Sequence, residues 1–89
     1  MAKISDEMIN ELYTVIASLD SADDCRLLFD DLCTHQEIEN MAQRICAARL
    51  LKQGETYNSV MQKTGIASAT LARVSNCVKY GKGYEKFIK

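Results

Sequence analysis

The chain contains no proline, and its four glycines all lie beyond residue 53. Proline removes a backbone donor and clashes with the preceding helical turn, and glycine in a helix interior costs about 1 kcal/mol relative to alanine. An opening stretch free of both favours long helices over strands. From Ser5 the apolar positions Met8, Ile9, Leu12, Ile16 and Leu19 recur at steps of three and four, and Asp6 and Glu7 fall in the first turn, where the helix dipole favours acids. The spacing predicts a first helix from about Asp6 to Leu19. Ser21 is suited to cap a second, short helix, with Asp23 and Asp24 adding favourable charge and Leu27, Leu28, Leu32 and Cys33 forming its apolar face.

Thr34-His35-Gln36-Glu37 fits the capping box, in which Thr and Glu each satisfy an orphan backbone amide at a helix start. The third helix predicted there carries Ile38, Met41, Ala42, Ile45, Cys46 and Ala48 as a broad stripe, runs on to Leu50 and Leu51, and stops at Gly54. About 18 residues at 1.5 Å each would span about 27 Å, enough for a central spine. Beyond it, Thr56 is placed to cap a short helix over Tyr57 to Thr64, with Val60 and Met61 facing inward, Gly65 breaking it and Ile66 plugging the turn. A further helix follows Ser68, carries Leu71, Val74 and Val78 at helical spacing and ends at Gly81. Two short helices joined by a glycine turn, with apolar residues at Val60, Ile66, Leu71 and Val74, match a helix-turn-helix; a plain helical hairpin shares parts of the pattern. The C-terminal GKGYEKFIK reads as a frayed tail, a short helix from Tyr84 to Ile88, or a basic arm. The expected architecture is one all-α domain: a helical core over 6–53, a helix-turn-helix over 56–80 and a tail or short helix over 81–89.

A chain of 89 residues makes one domain and buries only about 60% of the surface it exposes when unfolded, so a partner subunit would help it. At 47% hydrophobic and 26% charged it is too apolar to stay disordered. No apolar run nears the roughly 20 residues that span a bilayer, and MAKISDEMINELY has no signal-peptide core, so the expected location is the cytoplasm and no membrane partner is expected. Cys25, Cys33, Cys46 and Cys77 form no CxxC pair and no metal-ligand spacing with the lone His35, and are expected to be reduced core thiols; no metal or cofactor is expected. His35 is expected at the surface. An enzyme is disfavoured, since no acid–base pair accompanies a nucleophile and no glycine loop is built to cradle phosphate.

The charge is uneven. Residues 1–40 hold ten acids against Lys3 and Arg26, a net of −8, and residues 41–89 hold nine bases against Glu55 and Glu85, a net of +7. Such asymmetry fits a basic face with an anionic partner, or simply two solvated faces of opposite sign. The last predicted helix favours the first reading, because Ser68, Ala69, Thr70, Ala72 and Arg73 in its first two turns are small or donor-rich. Small side chains let a helix enter the major groove, threonine reaches base edges or a thymine methyl, and arginine pairs with guanine. Lys63, Lys79 and Lys82, with the hydroxyls of Thr56, Tyr57 and Ser59, suit phosphate contacts, which position a protein without reading sequence. The expected partner is double-stranded operator DNA. The alternative is a helical protein-interaction module that docks its acidic half on a basic partner; a steep fall of DNA affinity with salt separates the two.

LLKQGETYNSVMQKTGIASATLARVSNCVKYG resembles the DNA-binding segment of the tryptophan repressor family, in which a leucine pair closes a long helix and the reading helix carries an AT-x-x-R-x-SN core. That core is here Ala69-Thr70, Arg73 and Ser75-Asn76. The preceding DLCTHQEIENMAQRICAARLL is similar to the short subfamily of YerC/YecD type, and the resemblance covers about Glu11 to Tyr84. It implies an intertwined helical homodimer that binds operator DNA and regulates transcription, as a repressor. Two basic reading heads would face one duplex, with the acidic helices on the opposite side. The DNA-contacting positions it implies are Tyr57, Asn58 and Met61 in the first short helix, Ser68, Ala69, Thr70, Ala72 and Arg73 in the second, and Lys79 beyond; Met61 stands where the repressor has lysine. For a small-molecule effector it implies a pocket at Cys33, Gln43, Thr70, Arg73 and Val74. Gln43 there replaces an arginine and Val74 a glycine, and a branched side chain fills space an indole ring needs. The effector is open, and no response to L-tryptophan is expected.

Overall fold

The computed structural model describes residues 2–89 and consists, among them, of six helices without a strand: α1 Asp6–Ala17, α2 Ala22–Leu32, α3 His35–Lys52, α4 Tyr57–Thr64, α5 Ser68–Tyr80 and α6 Gly83–Phe87. They group into two compact units, divided after Thr34, so α3 belongs with α4 to α6 and not with α1 and α2.

In the first unit, each helix starts where a hydroxyl satisfies an orphan amide. Ser5 accepts from the Met8 amide of α1, and Ser21 accepts from the Asp24 amide of α2. Asp24 reciprocates, its carboxylate accepting from the Asp20 amide at 3.1 Å. α1 ends at Ala17, two residues before the predicted Leu19, because the Ser18 hydroxyl donates to the Val15 carbonyl at 2.6 Å and the Ser18 amide turns back onto the same turn. No residue of either helix is buried. Met8, Leu12, Val15, Leu27 and Leu32 are exposed, Leu27 to 72%, and a cleft of about 250 Å³ runs between the two helices past Leu12, Ile16 and Leu28.

In the second unit the core is small and dense. Ala47 and Ala48 of α3 meet Val60 of α4, Ile66 of the turn, and Leu71 and Val74 of α5, with Leu50, Leu51, Met61, Val78 and Tyr84 packed around them. The four apolar positions expected to define the helix pair are thus all buried. The α3 stripe is different: Ala42, Ile45 and Cys46 are exposed in this chain, and burial is confined to the end of α3 that packs on α4 and α5. α3 closes in a Schellman motif, the Glu55 amide donating to the Leu50 carbonyl and the Gly54 amide to that of Leu51. α4 closes at Gly65, whose φ of +72° is a left-handed conformation that side chains with a Cβ resist. Of the three readings of the C-terminal stretch the short helix is the one seen: α6 spans Gly83–Phe87, one residue ahead of the expected Tyr84 to Ile88.

The expectation of core thiols is corrected. All four cysteines are free, but Cys25 and Cys46 are exposed and Cys33 and Cys77 only half-buried, because the helix faces they sit on are not covered within the chain. His35 is exposed and faces Glu39 one turn on, at 3.5 Å. Among the described residues no helix is long and apolar enough to cross a membrane, and no group of three or more His, Cys, Asp or Glu is placed to hold a metal ion.

Candidate nucleic-acid interface

The candidate interface is built on α4, the Gly65–Ala67 turn and α5. Thr56 is exposed, and its hydroxyl oxygen caps α4 by accepting from the Ser59 amide at 3.2 Å, which leaves its O–H to donate outward. Tyr57 and Asn58 are exposed in the first turn of α4, while Met61, one turn later, is half-buried against the core. Lys63 is tied down by Glu55, whose carboxylate it meets at 2.7 Å and which also accepts from the Ser59 hydroxyl at 2.6 Å. Those two hydrogen bonds, led by the one from Lys63, hold the Glu55 carboxyl below its ordinary value.

The turn is braced from three sides. The Thr64 hydroxyl donates to the Val60 carbonyl at 2.7 Å and accepts from the Ile66 amide at 3.2 Å, and the Gln43 side-chain amide of α3 donates to the Thr64 carbonyl at 2.9 Å. Ile66 then inserts into the core.

On α5 the 3.6-residue period sorts the candidates cleanly. Leu71, Val74 and Ser75 are buried and Thr70 is half-buried; Ser68, Ala69, Ala72, Arg73 and Asn76 are exposed, as is Lys79 further on. The outer face at the start of α5 is therefore two alanines, a serine and one arginine, a low surface from which only Arg73 projects far. Unlike α1, α2 and α4, this helix has no side-chain cap, and like α4 it has no acid in its first turn, so its terminal amides and positive dipole end are left for an outside acceptor. No Asp or Glu occurs anywhere between residues 56 and 84.

Of the five positions implied for an effector, the four in the second unit fall in two cavities. Gln43 and Thr70 line a cavity of about 290 Å³ with Asn40, Arg44, Gly65 and Ala67. Arg73 and Val74 line another of about 270 Å³ with Arg44, Cys77 and Tyr84. Cys33 lies in the other unit, at the C-terminal end of α2. Arg44, not Gln43, is the α3 residue that shares a cavity with Arg73. It precedes Ala47 and Ala48 by three and four positions, so it extends from the same face of α3 that packs on α5, and that helical spacing was the signal available in the sequence. Val74 lies at the cavity edge but is itself core, 1% exposed.

Comparison with known proteins places the chain in a family. The model of the Trp repressor protein family matches residues 7–89. YerC of Bacillus subtilis, an uncharacterised protein, is 40% identical over 79 residues, covering 89% of this chain and 76% of that one. Two crystal structures superpose with TM-scores of 0.85: a candidate Trp repressor from Staphylococcus aureus, 35% identical over 91% of this chain and 82% of that one, and a TrpR-like protein from Eubacterium eligens, 34% identical over 90% and 84%. With the all-helical order, the buried Val60-Ile66-Leu71-Val74 core and the family match all in one frame, the chain belongs to the Trp repressor family.

Proposed function

We propose that this chain is a sequence-specific DNA-binding transcriptional regulator, a repressor, that works as a homodimer in the cytoplasm and reads a duplex through a helix-turn-helix made of α4 and α5. The observation that carries the reading is the outer face of α5, where Ser68, Ala69, Ala72 and Arg73 are exposed together at an uncapped helix start. Such a face fits the major groove: the alanines permit close approach, Arg73 reaches a guanine edge, and the amides favour phosphate. Tyr57, Asn58 and Lys79 supply backbone contacts around it. Thr56 caps α4 and keeps its O–H for a phosphate, Met61 packs beneath the helix, and Lys63 contributes when released from Glu55.

Homodimerisation is supported by what a single chain leaves uncovered. Met8, Leu12, Val15, Leu27, Leu32 and Ile45 are large, apolar and exposed, a pattern that marks an interaction surface in a soluble chain. Independence from L-tryptophan rests on Val74 alone, because Arg44 supplies a second guanidinium beside Arg73. Micromolar binding of L-tryptophan in a calorimeter would sink that part. The regulator itself is tested by selecting bound sequences from a random duplex pool: a palindromic site is expected, and failure to enrich any sequence would refute specific recognition.

A further inference from the structure

We infer that Lys52, at the far end of α3, is a positioning residue for the reading helix α5 and acts through the C-terminal helix α6. The inference rests on the DNA-binding function proposed above. A helix of five residues does not hold itself together in water, since nucleation costs more than one turn of hydrogen bonds returns. Its Tyr84 carbonyl accepts from the Ile88 amide at 3.0 Å, and the carbonyls at the end of a helix otherwise look outside it for donors. Lys52 supplies them from more than 30 residues away: its ammonium donates to the carbonyls of Tyr84 at 3.3 Å, Glu85 at 3.2 Å and Ile88 at 2.6 Å. Three ammonium hydrogens thus meet three acceptors at the negative end of a helix dipole, and the Glu85 carboxylate stands 3.9 Å away. The Lys52 side chain is only 21% exposed, which takes it out of the set of lysines that reach solvent.

What the lysine holds is a clamp. α6 packs on α5, and Tyr84 is wedged against the core and lines the cavity that holds Arg44, Arg73 and Val74. The turn from α5 into α6 passes so close that a Cβ on Gly81 would lie 2.6 Å from the Cys77 carbonyl oxygen. α3, α5 and α6 are therefore closed into one ring, with exposed Arg73 at the rim of the cavity that Tyr84 lines. Lys52→Met should open this ring and Lys52→Arg, which keeps the donors, should restore it. On the duplex selected by the wild type, Lys52→Met is expected to weaken binding about tenfold, the scale of one well-oriented contact, with the salt slope unchanged and amide exchange accelerated in α5. Gly81→Ala, which alters no charge, should reproduce the pattern and serves if Lys52→Met fails to fold. Wild-type affinity in both variants, or a salt slope lowered by about one unit in Lys52→Met alone, would overturn the inference, the latter by making Lys52 a direct phosphate contact. If the wild type selects no duplex, the regulator reading fails, and the clamp then stands or falls on the amide exchange of α5.

Discussion

Arg73 and Lys79 share a helix but are suited to different tasks. Arg73 stands among alanines at the start of α5, where base edges would lie, and Arg73→Ala is expected to relax base preference at one position by about 1–3 kcal/mol in binding to variant duplexes. Lys79→Ala should weaken all duplexes alike and lower the salt slope by about one unit. Glu55 makes the opposite prediction, because it neutralises Lys63: Glu55→Gln frees that ammonium for phosphate and should steepen the slope by about one unit. The same carboxylate links folding to pH. Its folded-state pKa lies below its unfolded value, so its contribution to stability is present above about pH 4.5 and is lost as pH falls through the folded value. Urea midpoints of wild type and Glu55→Gln should accordingly differ near neutrality and converge in acid.

Which elements could be read in advance depended on whether their ends were written locally. α4 was legible to the residue, since Thr56 caps it and Gly65 stops it, and both signals lie within one turn of the helix. Thr56→Ala should cost about 1 kcal/mol and Gly65→Ala about 1–2 kcal/mol, measured by urea unfolding, the second because alanine resists the left-handed conformation. α1 was overrun by two residues because Leu19 continues the apolar period although Ser18 has already turned the chain. α6 is too short to show a period, and the lysine that secures it lies in another helix, so no local pattern distinguished a helix from a tail. The place of Arg44 has a similar origin: it lines a cavity with Thr70, as Gln43 does, and a second one with Arg73, and only the packing of Ala47 and Ala48 on α5 reveals that second contact.

At the scale of the molecule, the first unit buries no residue of its own helices, whereas the second has a closed core. If the proposed homodimer covers the first unit, association supplies part of the stability, and Tm should rise with protein concentration. Leu27→Asp, on the most exposed of the large leucines, should abolish that dependence and leave a monomer in sedimentation equilibrium; an unchanged dimer would place the interface elsewhere. The six helices run without a proline, and the consequence is kinetic. Helices form in microseconds, and the common slow event in refolding, isomerisation at a prolyl bond over tens of seconds, has no bond here at which to occur. On the proposed homodimer, a slow phase in refolding should therefore quicken with protein concentration, which makes a stopped-flow dilution series a clock for the meeting of two chains.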